Sequence, residues 1–388
     1  MRIGVEQRRA RLARRHLLAG GSQATDPIEV ARRMVALHGT DPSTVYLSVW
    51  ARTSGGDVAS VERALYDDRT LVRLLAMRRT VFVVPAEVAP IALAACSRAV
   101  AARERKQLLG WLTEAKVAPD VSSWLADAEQ VALRAVRRLG EATAAQVSAE
   151  DPRLRHEIVL AAGKEYEGKV RVGSRVLLLL AAEGHVVRGR PLGGWTSTQF
   201  RWSPWERDGH ELSTEDASVE LARRWLATFG PATVDDLRWW AGWTATATKK
   251  ALAVIQPVEV DLDGQPGIML ADDLAPEPSP EPWVALLPAL DPTPMGWSHR
   301  DFYLGGHGPL LFDRTGNVGP TIWCDGRIVG GWVQHADGDI RYKLLEDVGT
   351  QAIAAIEAHA DELTKRLDTV RLSARGRRYS PIEQELRA

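Results

Sequence analysis

Along the first third of the chain, apolar residues recur every three to four positions, which is the spacing of amphipathic helices. This pattern predicts helices over 5–20, 27–37, 44–52, 58–76 and 87–113. The run TVFVVP at 80–85 is rich in β-branched and aromatic residues and predicts a strand. We therefore expect a mainly helical N-terminal lobe that contains a short β element.

A second pattern occurs twice further along the chain, as a helix, a short turn, a second helix and a β-hairpin. In LGEATAAQVS and FGPATVDDLRWWAG, a glycine and an Ala-Thr pair both precede a short amphipathic helix. Hairpin strands follow each of these stretches, at 185–205 and at 257–272. This order is typical of the winged helix, so we interpret the two stretches as internal repeats of one module.

The last third changes character after the acidic, proline-rich segment DDLAPEPSPEP at 272–282, which predicts a connector. Beyond it, TIWCDGRIVGGWVQHADGDIRYKLL alternates apolar and polar residues around two Asp-Gly turns and predicts a three-stranded meander. The segment VGTQAIAAIEAHADELTKRL predicts a closing helix. The fold class that these elements predict is α+β.

The patterns together predict five units. We expect an arginine-rich N-terminal winged-helix lobe at 1–125, a second winged-helix module at 126–210, a third at 211–271, the connector at 272–282, and a β-meander with a C-terminal helix at 283–388. A chain of 388 residues is too long for one ordinary core, which agrees with this division.

Composition favours a globular protein, with 45% apolar and 26% charged residues. The sequence contains no run of 18 apolar residues and no apolar segment typical of a secretory signal near the start. Its two cysteines, Cys96 and Cys324, lie far apart. We therefore expect a cytoplasmic protein with no membrane partner.

Charge is distributed unevenly. Residues 1–110 carry 18 Lys and Arg against 10 Asp and Glu, whereas the remaining residues carry 31 against 40. All but one of those 18 basic residues are arginine, whose guanidinium pairs with phosphate through two hydrogen bonds. The N-terminal third therefore predicts a binding surface for a polyanion, although a solvated arginine-rich face would have the same composition.

The short motifs that resemble cofactor-binding or catalytic sites are incomplete in this sequence. The segment GKEYEGKV has the spacing of a phosphate-binding loop, but Val170 stands where that loop needs a Ser or Thr hydroxyl for magnesium. The His-Arg-Asp run from His299 to Asp301 lacks the other kinase motifs. The histidines form no HExxH or paired-ligand pattern, so we expect neither a cofactor nor a metal.

The segment HGTDP at 38–42, which we call the corner, has two interpretations. As a helix boundary, His38 would cap the end of one helix, while Thr40 or Asp41 would cap the next, with Pro42 in its first turn. The same short polar segment could instead form the tip of a reactive site. The residues alone leave both interpretations open.

Four stretches carry a resemblance to a known family: ARRMVALHGTDPSTVYLSVWAR, LVRLLAMRRTVFVVP, FGPATVDDLRWWAG, and LLPALDP with FDRTGNVGPTIWCDGRIVGGW. In this order they resemble the AlkZ/YcaQ-type winged-helix DNA glycosylases over nearly the whole chain. The resemblance implies tandem winged-helix modules with a C-terminal β-rich portion, arranged as a curved clamp around DNA. It also implies removal of alkylated bases, including bulky adducts and interstrand crosslinks.

The family places a Gln-x-Gln or Gln-x-Asp tripeptide at the end of its second helix, where this chain has His38, Gly39 and Thr40. Hydrolysis of an N-glycosidic bond builds positive charge on the sugar, which a carboxylate or an amide carbonyl must stabilise while water is oriented. A neutral His38 could accept a proton from water, Thr40 could orient water, and Asp41 could supply charge. His38, Thr40 and Asp41 are therefore catalytic candidates by their place in the chain, although their residue types are not those of the family tripeptide.

Candidate DNA contacts are arginines of the basic lobe and of the second hairpin. They are Arg32, Arg33, Arg52, Arg78, Arg79, Arg188 and Arg190. Tyr46 and Trp50 lie one helical turn apart and are candidates for stacking on a lesion, with a place in the core as the alternative.

These residues lead to one functional hypothesis and one alternative. We expect a monofunctional glycosylase that acts on double-stranded DNA with water alone, as a monomer without cofactor or metal, in the cytoplasm and associated with the nucleoid when on DNA. The alternative is a non-catalytic winged-helix DNA-binding protein, either a regulator or a lesion sensor.

Overall fold

The computed structural model describes residues 1–160, 168–206, 211–374 and 377–388. Most of the GKEYEGKV segment lies outside these residues. The N-terminal lobe consists of α1 (Val5–Arg15), α2 (Pro27–Arg33), β1 (Leu37–His38), α3 (Pro42–Trp50), α4 (Val58–Glu62) with a π turn (Arg63–Asp67), β2 (Leu71–Leu75), β3 (Val81–Pro85), α5 (Ala89–Ala92) with a π turn (Leu93–Ser97), and α6 (Arg98–Glu114).

The predicted helix over 58–76 is wrong in its second half, because residues Leu71–Leu75 form strand β2. All five of its residues are buried, so the segment lacks the alternation of apolar and polar positions that reveals a strand. It pairs with β3, and β3 pairs with the short strand β1, in the order β1-β3-β2. The predicted helix over 27–37 likewise ends early, and Leu37–His38 belongs to this sheet.

The two internal repeats follow. The first consists of α7 (Val121–Leu139), α8 (Ala144–Ala149), α9 (Pro152–Arg155), β4 (Glu157–Leu160), β5 (Gly168–Arg171), α10 (Val172–Ala182), β6 (Val186–Pro191) and β7 (Phe200–Pro204). The second consists of α11 (Thr214–Phe229), α12 (Val234–Ala241), α13 (Ala245–Ile255), β8 (Val258–Leu262) and β9 (Gln265–Met269). The boundaries of the predicted units remain predictions.

All three modules join the second helix to the hairpin in the same way. A short segment before that helix pairs with the second hairpin strand, through His38 with Phe82, Ala142 with Trp202, and Ala232 with Ile268. The helix that follows is then capped by a side chain, from Asp41, Thr143 or Thr233 respectively. The corner is thus the first module's version of a turn that the fold uses three times.

The C-terminal part contains a four-stranded antiparallel sheet in the order β10-β11-β12-β13. It consists of β10 (Val284–Leu287), α14 (Asp301–Leu304), α15 (Gly308–Leu311), β11 (Thr321–Cys324), β12 (Arg327–Gln334), β13 (Ile340–Leu344), α16 (Gly349–Leu367) and α17 (Pro381–Arg387). The predicted meander is present, and β10 adds one strand at its edge. Before this sheet, the 272–282 connector is tied to α1 by Arg11 and Arg15, which both bind Asp273.

The buried apolar residues divide into separate clusters. The largest joins the N-terminal lobe, the third module and the C-terminal sheet. A second cluster fills the second module and includes Leu75 and Val81 from the first hairpin. A small third cluster contains Leu290, Met295 and Val318. The second module therefore has a core that it shares at one edge with the first hairpin.

A buried ion pair connects α3 to the C-terminal part. The guanidinium of Arg52 donates to both carboxylate oxygens of Asp291, at 2.8 and 2.7 Å, and both side chains are fully buried. Ser48 also donates to Asp291, and Thr293 accepts from Arg52. Because the remaining donors of Arg52 reach backbone carbonyls of His16 and Ser48, the pair is satisfied by hydrogen bonds on both sides.

None of the helices in the described parts of the chain is long and apolar enough to cross a membrane.

Replacing Arg52 with methionine should lower the free energy of unfolding by about 3–5 kcal/mol, because Asp291 is left as a buried, unpaired charge. Urea denaturation monitored by circular dichroism measures this change. The matched control is Arg224→Met, which removes a half-exposed ion pair with Glu220 and should cost less than about 1 kcal/mol. Equal losses in the two variants would contradict a structural role for the buried pair.

Candidate active site

A cleft of ≈ 340 Å³ opens where the first module, the second module and the C-terminal part meet. This volume lies within the range of small-ligand sites, at its lower end. The lining residues are His38, Thr40, Leu75, Arg79, Thr80, Val81, Leu178, Arg188, Leu290 and Asn317. Among the described residues, the lining includes two arginines and no carboxylate, so it is basic.

The corner enters this cleft because β1 stops after two residues. Gly39 donates its N–H to the carbonyl of Val81 at 2.8 Å, which continues the pairing of His38 with Phe82 by one more bond. A Cβ at Gly39 would lie 3.3 Å from the Val81 side chain, so glycine allows this close approach. His38 and Thr40, on either side of Gly39, then line the cleft together.

His38 is buried, with its ring centroid 5.2 Å from that of Phe82. Burial and, to a smaller extent, the nearby positive charge of Arg78 together lower the pKa of His38 to about 3. The backbone N–H of Thr40 points at Nδ1 of His38 over 3.5 Å. A ring that accepts at Nδ1 carries its proton on Nε2, so His38 offers a neutral hydrogen-bond donor rather than a strong base.

Asp41 does not join His38 and Thr40. Its carboxylate caps α3 by accepting from the backbone N–H of Ser43 at 3.1 Å and from the Ser43 hydroxyl at 2.6 Å. The residue lines a different, smaller cavity, between α3 and α17. The structure therefore separates the three catalytic candidates, and Asp41 has the helix-capping position that the sequence offered as the alternative.

Asn317 also lines the cleft. Its Nδ2 donates to the carboxylate of Asp313 at 3.2 Å and to the hydroxyl of Thr315 at 2.8 Å. Because both amide hydrogens are used, the remaining polar atom of the side chain is Oδ1, which can only accept hydrogen bonds. Although burial opposes it, hydrogen bonds from Asn317, Thr315 and the backbone of Arg378 lower the pKa of Asp313 to about 2. Asp313 is thus a stable acceptor that orients the Asn317 amide.

The two arginines of the cleft differ in their partners. Arg79 pairs with Glu104 through two hydrogen bonds, and its side chain is about half exposed. Arg188 has its guanidinium 4.2 Å from the centroid of the Phe200 ring and pairs with no carboxylate of the described chain. Burial lowers the pKa of Arg188 to about 10, and the positive charge of Arg73 adds to that shift.

Four other predicted DNA contacts lie outside the lining of the cleft. Arg32 and Arg33 are exposed at the end of α2, where Arg32 pairs with Glu87. Arg190 pairs with Glu62 and Asp67. Arg78 has a left-handed backbone, with φ at 52°, and its guanidinium lies 4.0 Å from the Trp239 ring centroid.

The structure corrects the predicted DNA contact of Arg52, because its side chain is fully buried against Asp291 and reaches no surface. It also corrects the predicted stacking residues. Tyr46 is fully buried, with its ring centroid 4.9 Å from that of Trp195. Trp50 contacts the same Trp195 and faces a separate cavity beside α16, so neither ring lines the cleft.

Comparison with known proteins agrees with this architecture. A family model described as DNA glycosylase AlkZ-like matches residues 31–366. The chain belongs to the AlkZ-like DNA glycosylase family. The solved structure of Streptomyces sahachiroi DNA glycosylase AlkZ superposes with a TM-score of 0.73 at 20% sequence identity, covering 97% of this chain and 100% of that chain. A search of curated proteins found no match.

Membership in the AlkZ-like family confirms the resemblance that the sequence indicated, the α+β fold and the assignment to DNA repair. The family also makes DNA the substrate of this chain and hydrolysis its general reaction. Among the described residues, no three His, Cys, Asp or Glu side chains come together in a way that could hold a metal ion.

The sequence analysis missed Asn317, even though it lies within the FDRTGNVGP stretch that carried the resemblance. The spacing Asp-x-Thr-x-Asn, which lets one carboxylate accept from both later residues, indicates a tight polar turn. It does not indicate that this turn faces His38, because Asn317 is 279 positions away in the chain.

The low pKa of His38 predicts a dependence of stability on pH. Unfolding returns His38 to its ordinary pKa of 6.5, so the unfolded chain binds a proton that the native chain rejects, and stability falls as pH drops below 6.5. At about pH 5 this residue should cost about 2 kcal/mol of unfolding free energy relative to pH 7. Urea denaturation across this range measures the loss.

Replacing His38 with glutamine should remove that part of the loss on acidification, whereas the exposed His359→Gln should leave the wild-type dependence intact. The buried His16, whose pKa is also lowered by burial, remains in both variants and cancels in the comparison. The same acid dependence in wild type and His38→Gln would contradict the low pKa.

Proposed function

We propose that this AlkZ-like chain is a monofunctional DNA glycosylase that hydrolyses the N-glycosidic bond of alkylated bases at the cleft beside the corner. One observation carries the proposal: His38, which is neutral, and Asn317, whose amide hydrogens are both used by its own turn, line the same basic cleft. A donor for the leaving base and an acceptor for the attacking water are the two groups that the reaction needs.

The chemistry assigns each group a role. As the N-glycosidic bond breaks, the base leaves with the bonding electron pair, and the deoxyribose gains positive charge. Water adds to the C1′ carbon of the sugar and releases a proton to bulk water. Oδ1 of Asn317 accepts a hydrogen bond from that water and presents the negative end of its dipole to the sugar. Nε2 of His38 donates to the departing base. Thr40, on the other side of Gly39, can hydrogen-bond the same water.

The absence of a carboxylate from the cleft lining limits the substrates. An amide carbonyl stabilises a cation less than a full negative charge does, so more of the driving force must come from the leaving group. A base alkylated at a ring nitrogen is already cationic and leaves without prior protonation. We therefore propose cationic alkylated purines as substrates, and bulky or crosslinked adducts only where they carry that charge.

The same absence supports the second candidate, a non-catalytic binder of damaged DNA. Asp41, the carboxylate closest in sequence to the family tripeptide, caps α3 instead of lining the cleft. A chain that binds lesions without cleaving them would keep the basic cleft and lose only the turnover. On either proposal the partner is double-stranded DNA bound by a monomeric clamp, and the cellular setting is the cytoplasm, at the nucleoid.

Single-turnover release of 7-methylguanine from a methylated duplex tests the proposal. Relative to wild type, Asn317→Ala should slow release by about 10²–10³-fold, the usual loss when one preorganised polar group is removed from an active site. Binding to a duplex with a stable abasic analogue should change little. Asp41→Asn should retain release, because the amide can still cap α3.

Two outcomes contradict the enzyme and its proposed site. Wild type that binds the duplex but releases no cationic base supports the non-catalytic alternative. Loss of release in Asp41→Asn at wild-type stability would make Asp41 the catalytic carboxylate and remove the assignment of Asn317. A duplex containing uracil, a neutral base, should give no product, and its cleavage would overturn the proposed restriction to cationic leaving groups.

A further inference from the structure

Arg73, on β2, is a buried cation without a partner. Its residue is only 5% exposed, and its Nε and Nη2 have no hydrogen-bond partner. No carboxylate of the described chain forms an ion pair with it. Leaving charged donors buried and unsatisfied is costly, so such a group calls for a ligand or a role.

The other arginines that are buried to this extent in the described chain do have carboxylate partners. Arg11 pairs with Asp273, Arg52 with Asp291, and Arg377 with Glu383. The fold therefore neutralises these three guanidinium groups. Two other largely buried arginines, Arg8 and Arg78, lie over the rings of Phe302 and Trp239 instead. Among the described residues, Arg73 has neither kind of partner.

Arg188 lies next to Arg73, because β6 of the second module runs beside β2 of the first. It lines the cleft, whereas Arg73 is not part of the lining and is placed behind it. Arg188 also lacks a carboxylate partner among the described residues, and the charge of Arg73 helps to lower its pKa. Two mutually repelling cations thus sit side by side at the wall of the candidate active site.

The nearby side chains do not neutralise these two cations. Glu62, whose charge also acts on Tyr46, pairs with Arg190 instead. The hydroxyls of Tyr46 and Tyr66 are buried and have no hydrogen-bond partner within 3.5 Å. Tyr46 lies close enough to Arg73 for that charge to act on its pKa, which burial raises. A buried tyrosine remains protonated and cannot neutralise a guanidinium. The described residues therefore leave Arg73 and Arg188 open to an anion from outside the chain.

We propose that Arg188, backed by Arg73, forms a subsite for one backbone phosphate of the DNA strand that carries the target nucleotide. The inference rests on the proposed function, because it takes the cleft as the place of that nucleotide. A phosphodiester fits the donors, since guanidinium groups bind phosphate oxygens through paired N–H bonds. The phosphate then anchors the sugar beside His38 and Asn317, which share the cleft.

Binding of a duplex with a stable abasic analogue tests this subsite. In one set of duplexes, each phosphate near the analogue is replaced in turn by an uncharged methylphosphonate. For wild type, one position should weaken binding by about tenfold, the loss expected for one charge-assisted contact. In Arg188→Gln, binding to the unmodified duplex should be weaker to a similar degree, and that same methylphosphonate should have no further effect.

The control is Arg190→Gln, on the same strand, whose guanidinium is already paired with Glu62 and Asp67. Whatever its effect on overall affinity, this variant should lose as much affinity as wild type when the sensitive phosphate is replaced by a methylphosphonate. Arg73→Lys retains the charge but not the planar fork, so it should reduce that penalty without abolishing it. Unfolding by urea identifies any variant that fails to fold, and Arg188→Gln alone then carries the test.

The subsite is overturned if no single phosphate is sensitive in wild type, or if Arg188→Gln remains as sensitive as wild type at that position. Because the abasic analogue contains no base, the outcome does not depend on catalysis. A sensitive phosphate coupled to Arg188, together with no base release from methylated DNA, would refute the glycosylase and leave the subsite in place. Base release without any such coupling would refute the subsite and leave the glycosylase in place.

Discussion

The site depends on the buried ion pair between Arg52 and Asp291. Arg52 follows α3 directly and Asp291 follows β10, so the pair joins the first winged helix to the C-terminal sheet. Leu290, beside Asp291, lines the cleft opposite the corner that begins α3. One salt bridge therefore fixes both a wall of the cleft and the helix from which the corner extends. The ion pair also joins two distant stretches of the family pattern, because Arg52 ends VWAR and Asp291 lies in LLPALDP.

Much of the architecture was predictable because it is encoded locally. Helix periodicity, the Ala-Thr turns and the Asp-Gly hairpins depend on residues within one short segment, and the structure contains the elements that they indicate. The repeated turn before the second helix also follows from local capping, by Thr143 and Thr233 as by Asp41. Strand β2 was missed for a physical reason, since a strand buried on both faces shows no alternation.

The site was less predictable, because it depends on contacts between distant segments. His38 and Thr40 could be identified from their place in the family, but whether Asp41 faced the same way depended on which group its carboxylate would cap. Asn317 and Arg73 gave no sign in the sequence, since one is oriented by a turn of the C-terminal part and the other by a neighbouring module. Arg52 looked like its exposed counterparts, although its partner lies 239 residues further on.

The division of the apolar interior has a consequence for the size of lesion that can enter. Leu75, Val81 and Leu178 belong to or pack against the core of the second module, whereas Leu290 belongs to a separate small cluster. The cleft therefore lies between two apolar clusters, and its aperture is set by how these clusters meet. Because Val187 and Trp195 of the second module belong to the largest cluster, while the first hairpin contributes Leu75 and Val81 to the second, the modules interlock. A larger lesion can enter only if side chains between the modules repack.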